Sequence, residues 1–231
     1  MTEASERTAR AFFGRRKGHK LRPHQAQLIE TLLPLLALDL SSPAPIDLCK
    51  LFPVPVTDVA LEIGFGGGES MIAQAREHPR TGIIGVEPFI NGMAKALAAI
   101  ESGGLRNIRL HFDDAVSLIA WLPEASLARI DLIHPDPWPK RRHWKRRFIQ
   151  DDMVAGVARV LRPRGEFRFV TDIADYAAWT LLRLLRSQHF EWTAQCADDW
   201  RKPWPGFART RYHAKAARED RASCFLVFRK I

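Results

Sequence analysis

From residue 57 onward, short apolar runs alternate with helical stretches, and this alternation restricts the fold more than any other feature of the chain. TDVALEIGF (57–65), TGIIGVE (81–87), NIRLHF (107–112), LARIDLI (127–133) and GEFRFVT (165–171) have the length and composition of strands. ESMIAQAREH (69–78), INGMAKALAAIES (90–102), AVSLIAWL (115–122) and RFIQDDMVAGVARVL (147–161) lie between them with helical spacing. Pro79, the Gly103–Gly104 pair and Pro163 supply helix stops. A further helix, DYAAWTLLRLLRSQ (175–188), leads to FEWTAQC (190–196) and a last strand, CFLVFRK (224–230). Parallel strands need crossover connections, so the predicted class is α/β, a doubly wound, mostly parallel sheet with helices on both faces.

Residues 24–40 have helical spacing with a kink or break expected at Pro34, and the four prolines of 41–57 read as a connection. The predicted organisation is a basic N-terminal extension and helix (1–56) and a main domain (57–231). Residues 198–222, rich in Arg, Lys, Trp and Pro, read as a long irregular insertion.

Cys49, Cys196 and Cys224 are odd in number and far apart, which argues against a disulfide framework or a zinc knuckle. The histidines and cysteines form no H-x-x-x-H or C-x-x-C pattern, so no metal is expected. The first ten residues lack an apolar targeting core, and the apolar stretch 32–40 is too short to span a bilayer, so a soluble cytoplasmic protein is expected. The net charge of +9 is unevenly spread. Segments 1–24, 140–147 and 201–231 are strongly basic, and the remainder is net acidic. Three basic segments on an acidic body point to a polyanionic partner.

In open parallel sheets ligands bind beyond the carboxyl ends of the strands, and here those ends carry acids: Glu62, Glu87, Asp113 with Asp114, Asp136 and Asp172. The first comes with the glycine loop LEIGFGGGES. A dinucleotide fingerprint starting at Gly64 needs glycine at 69, where Glu69 stands, and no phosphate-binding G-K-[ST] follows. Gly64, Gly66 and Gly68 instead permit close approach to a ligand carrying a positive group near Glu62. S-adenosylmethionine (SAM) is such a ligand, with Glu87 placed for its ribose diol and Asp114 for its adenine amino group. The main alternative from another enzyme class is a nicotinamide-dependent oxidoreductase on the same topology.

The segment HPDPWPKRRHWKRR (134–147) sets Asp136 between two prolines and follows it with six lysines and arginines in eight residues. The prolines restrict the backbone around a carboxylate suited to stabilising positive charge. The basic block suits phosphates, and Trp138, Trp144, Trp200 and Trp204 offer stacking faces.

Together GRRKGHKLRPHQ (14–25), LEIGFGGGES, GVEP, DDA, PDPWPK, TDIADYA and TRYHAKA (210–216) resemble the bacterial tRNA (guanine-N7)-methyltransferases. The resemblance runs from about residue 12 to the C-terminus, and PDPWPK is its most specific part. It implies a seven-stranded class I, Rossmann-like methyltransferase sheet and methylation of the variable-loop guanine, tRNA position 46. Glu62, Glu87, Asp114 and Asp136 would contact SAM, with Asp136 at the reaction centre. Lys140, Asp172, Thr210, Arg211, Tyr212 and His213 would face the substrate. Arg142, His143, Trp144, Lys145, Arg146 and Arg147 would lie along RNA, and Tyr212 would pack on the target base. A monomer or weak homodimer is expected. The chain departs from the family in one respect: its T-x-[YF]-E motif ends in His213, and a neutral imidazole offers one hydrogen-bond acceptor where a glutamate offers several. Methylation of another nucleic-acid or amine target, and a non-catalytic RNA-binding role, are the remaining alternatives.

Overall fold

The computed structural model describes residues 12–231. Helices Pro23–Thr31 (α1) and Leu33–Leu36 (α2) precede the sheet. Asp58–Ile63 (β1), Glu69–Glu77 (α3), Thr81–Val86 (β2), Ile90–Gly103 (α4), Ile108–His111 (β3), Ala115–Trp121 (α5) and Leu127–Ile133 (β4) follow in strict alternation. A 3-10 turn, Arg141–Arg146, leads to Asp151–Val160 (α6), Leu161–Thr171 (β5), Ala174–Arg186 (α7) and Phe190–Trp192 (β6). Asp198–Arg201 (α8), Arg211–Arg218 (α9) and Cys224–Lys230 (β7) complete the chain.

The strands form one seven-stranded sheet in the order β3-β2-β1-β4-β5-β7-β6. β1 to β5 run parallel, and β7 inserts antiparallel between β5 and β6. Because β1 pairs with both β2 and β4, the winding reverses there and opens a crevice at the carboxyl ends. Both faces are covered, as β2 illustrates. Ile84 and Val86 join one buried cluster with Leu118, Val157 and Phe169, while Ile83 points the other way into a cluster with Met71, Met93 and Leu97. Leu28, Leu33 and Leu36 belong to that second cluster, so α1 and α2 pack onto the main body. Each such side chain contributes roughly 1.5–3 kcal/mol by leaving water.

Four local expectations are corrected. The apolar stretch 24–40 is divided at Leu32, and Pro34 stands in the first turn of α2, where its missing N–H costs nothing. The helix expected over 147–161 begins only at Asp151. Asp151 and Asp152 suit a helix N-terminus, whereas Arg147, extended after the 3-10 turn, would oppose its dipole. Pro163 does not stop a helix but lies in the exposed start of β5, where a missing donor is tolerated. The insertion 198–222 is not irregular throughout, since α9 forms behind Thr210, whose hydroxyl accepts from the His213 N–H at 3.2 Å. The first eleven residues of the basic N-terminal segment lie outside the described residues.

Candidate active site

A cavity of about 450 Å³ opens at the carboxyl ends of β1, β2, β4 and β5. Gly64, Gly66, Glu87, Asp114, Asp136, Asp172, Arg211 and Tyr212 all line it. The structure therefore brings together residues spread over nearly 150 positions of sequence.

On one side the acids are held by backbone. Glu87 accepts from the Gly66 N–H at 2.7 Å and from the Phe89 N–H at 2.9 Å. Burial pushes its carboxyl above the ordinary value, and the two N–H donors oppose that rise without cancelling it. Gly66 adopts φ +57°, which aims its N–H at Glu87. Any Cβ on Gly92 would meet the Gly66 carbonyl at 2.2 Å, so α4 can approach the loop only as glycine. Asp114 caps α5 through the Val116 N–H (2.9 Å) and accepts from the Phe12 N–H (2.6 Å), tying the N-terminal segment to the cavity.

Glu62 and Gly68 do not line the cavity. Glu62 lies within β1 and not past its end, buried beside Asp131 of β4 in register. Desolvation and then the Asp131 charge push its carboxyl up to about 8. Gly68 begins α3 and packs closely on Ala96 of α4.

On the other side the acids meet side chains or solvent. Asp136 is exposed at the mouth, and no described residue donates a hydrogen bond or forms an ion pair with it. Desolvation by the surrounding walls raises its pKa, and the open side lets water limit that push. The loop around it contains two non-glycine residues of positive φ, His134 (+50°) and Trp138 (+41°). Asp172 accepts from Arg221 Nε at 2.7 Å and faces His134 Nδ1 at 3.3 Å. Desolvation works to raise its pKa, but Arg221, the Asp172 backbone N–H and His134 outweigh it and hold the carboxyl low. Burial pushes His134 down. A neutral His134 whose Nδ1–H points at Asp172 leaves Nε2 as an acceptor, and that atom is buried without a partner among the described residues.

His213 does not line the cavity. Its ring packs among Phe207, Phe225 and His134 at centroid distances of 5.5, 5.7 and 6.1 Å, and Nδ1 lies 3.3 Å from Ser223 Oγ. Thr210 is a buried helix cap. Arg211 reaches over the glycine loop, within 4.0 Å of Glu69, and stacks on the Tyr212 ring at 4.8 Å. Tyr212 is an exposed face at the rim.

The basic block divides. Lys140, Arg142 and Lys145 are exposed, His143 and Trp144 are half-buried, and Arg146 lines the cavity over Trp138 at 4.9 Å. Arg147 corrects the expectation of an RNA contact: it is 1% exposed and stacked among Trp144, Tyr176 and Trp179. Trp200 packs on the main core and Trp204 on Phe207 and Phe225, so neither is a free stacking face. His134, Lys215 and Arg221 also line the cavity and were missed in the sequence. The helical spacing of Arg211 and Lys215 was a usable signal for the second. Among the described residues no group of His, Cys, Asp or Glu could hold a metal, and no helix is long and apolar enough to cross a membrane.

The residues fit SAM on observations of this cavity. Its volume lies in the range of roughly 300–1,000 Å³ typical of small-molecule sites. A side chain on Gly64 would meet nothing within 4 Å and so project into open space, and buried carboxylates line the same wall. A doubly wound sheet of this order, closed by an antiparallel last strand and carrying such a loop, defines a class I methyltransferase.

The methyltransferase family model Methyltransf_4 matches residues 57–226. A tRNA (guanine-N7)-methyltransferase of Rhodopseudomonas palustris strain HaA2 is 63% identical over 220 residues, covering 95% of this chain and 86% of the relative. One from Bradyrhizobium diazoefficiens is 62% identical over 221 residues, covering 96% and 94%. The chain belongs to the tRNA (guanine-N7)-methyltransferase family. Among solved structures the fold is shared with the 16S rRNA methyltransferase KamB (TM-score 0.53, 16% identity, 76% of this chain and 89% of that one). It is shared also with SMU.1697c of Streptococcus mutans, solved in complex with SAH (TM-score 0.50, 11% identity, 92% and 100%).

Proposed function

We propose that the protein transfers a methyl group from SAM to N7 of a guanine in tRNA, the variable-loop guanine at position 46. The observation that carries this is the single cavity joining Gly64, Gly66, Glu87 and Asp114 to Asp136, Asp172 and Tyr212. The names of the relatives support the substrate. We read residues 57–231 as the catalytic domain, acting on tRNA in the cytoplasm as a monomer or weak homodimer.

When bound, SAM supplies an electrophilic methyl on a positively charged sulfur. Guanine N7 carries an in-plane lone pair, so no residue has to remove a proton before attack, and catalysis rests on alignment and fixed electrostatics. Asp136 faces the cavity as an anion that no cation among the described residues pairs with, suited to the positive charge that appears on the purine. Glu87 holds the ribose with the lone pairs left by its two backbone bonds, and Asp114 faces the adenine. Tyr212 stacks on the target base. Asp172, which lines the cavity and is held by Arg221 and His134, faces the guanine edge with the lone pairs those contacts leave free. Lys140, Arg142 and Lys145 contact phosphates.

Incubating the pure protein with SAM and bulk tRNA, followed by mass mapping of nucleosides, tests the reading. The expected product is 7-methylguanosine in the variable loop. Methyl on an exocyclic amine would replace the reading with the amine-methylase alternative, and no transfer would leave only an RNA-binding role.

A further inference from the structure

The last arginine of the basic block is the one residue of that block which cannot meet a phosphate without leaving the core. Arg147 follows the 3-10 turn, and its guanidinium is spread among three rings, with centroids at 4.9 Å (Trp144), 4.9 Å (Tyr176) and 5.0 Å (Trp179). Nη2 pairs with Asp175 in the first turn of α7, and Nη1 is buried with no hydrogen-bond partner among the described residues. Removing a guanidinium from water into an aromatic pocket is costly, and an apolar side chain would fill such a space at less cost. A cation kept in this position is therefore best explained by what it holds.

Arg147 Nε donates to the carbonyl of Pro137 at 2.9 Å. That carbonyl belongs to the residue directly after Asp136, in a loop bent by positive φ at both His134 and Trp138. Backbone in such conformations persists only where its surroundings enforce it. The neighbouring Arg146 points the other way and covers the Trp138 ring at 4.9 Å. Two consecutive arginines thus grip the Asp136 loop, one at the cavity mouth and one from beneath.

We propose that Arg147 is a positioning residue for methyl transfer: withheld from RNA, it fixes Asp136 through the Pro137 carbonyl and ties that loop to the turn bearing the exposed basic residues. The proposal rests on the reading of Asp136 given above. A lysine at this position keeps the charge but presents a single point donor, which cannot serve Pro137 and Asp175 in the same fork geometry.

Arg147→Lys and Arg147→Ala are compared with wild type in single-turnover methylation at saturating tRNA and SAM, with tRNA affinity measured across a salt series. The expected result is a transfer rate lowered at least tenfold in Arg147→Lys, with tRNA and SAM affinities within twofold and the salt slope unchanged. Guanidinium ion should restore part of the rate to Arg147→Ala. A salt slope reduced by about one counterion would make Arg147 a phosphate contact and overturn the proposal. A wild-type rate in folded Arg147→Lys would overturn it too, as would a lower melting temperature with no change in rate. Should neither variant fold, Asp175→Asn decides: a slowed transfer at unchanged tRNA affinity supports the proposal, and an unchanged rate overturns it. Wild-type protein that leaves N7 unmodified would defeat the functional reading itself, an outcome distinct from any of these.

Discussion

The two sides of the cavity hold their acids by different means. Beyond β1, β2 and β3, Glu87 and Asp114 are fixed by main-chain donors: the N–H groups of Gly66, Phe89, Val116 and Phe12. Beyond β4 and β5, Asp172 is held by the side chains of Arg221 and His134, and Asp136 has no polar partner among the described residues. Main-chain donors keep their geometry whatever side chains surround them, so the first side is a rigid receptor. The second side, held by side chains, can be retuned by single substitutions. Behind it stands a histidine at position 213 where the family motif has glutamate, and the structure uses that ring for packing.

The contrast breaks most visibly at Asp136. Asp136→Asn keeps the shape and removes the charge, so turnover should fall by roughly a hundredfold or more, with tRNA affinity little changed. Full turnover in steady-state assays of this variant would remove the electrostatic role.

Glu87→Ala tests the rigid side. SAM affinity by calorimetry should weaken by roughly 1.5–3 kcal/mol. Because the carboxylate also receives the Gly66 and Phe89 N–H groups, melting temperature should drop as well. Weaker binding with unchanged stability would mean that those two bonds add nothing to the fold.

Glu62 sharpens the picture through pH. Its folded-state carboxyl is raised to about 8, so the folded protein holds a proton that the unfolded chain has already lost above the ordinary carboxylate range. The stability associated with that proton is complete below about pH 4 and declines as pH rises towards 8. Thermal melts from pH 5 to 8.5 should show a decline in stability that Glu62→Gln abolishes. An equal slope in the variant would reassign it to other groups.

The smallest effect is expected at His213. A His213→Glu substitution would point a carboxylate into the Phe207 and Phe225 rings. Stability should fall by about 1 kcal/mol, and transfer should not improve. A faster enzyme would show that the position reads the base after all.

Much of this protein was legible in the sequence, for a physical reason that differs from region to region. The alternation of strands and helices follows from local periodicity, and the carboxyl-end acids follow from the parallel sheet that such alternation requires. Asp114 as a helix cap is a two-residue relation, visible in DDA ahead of an apolar run. The burial of Glu62 was not legible: one step inside the strand end sets its carboxylate in the sheet's interior, where desolvation and then the Asp131 charge raise it.

What only the tertiary structure decided concerns pairs distant along the chain. Nothing local separates Arg147 from Arg146, yet one is buried under three aromatic rings and the other lies over Trp138. Arg221 reaches Asp172 across 49 positions, and His134 reaches it across 38. Side-chain type and spacing determine what a residue is able to do, because secondary structure is a short-range property. Whether it does so depends on which partners and how much water the packed fold leaves around it, and those are set by contacts that sequence periodicity does not encode.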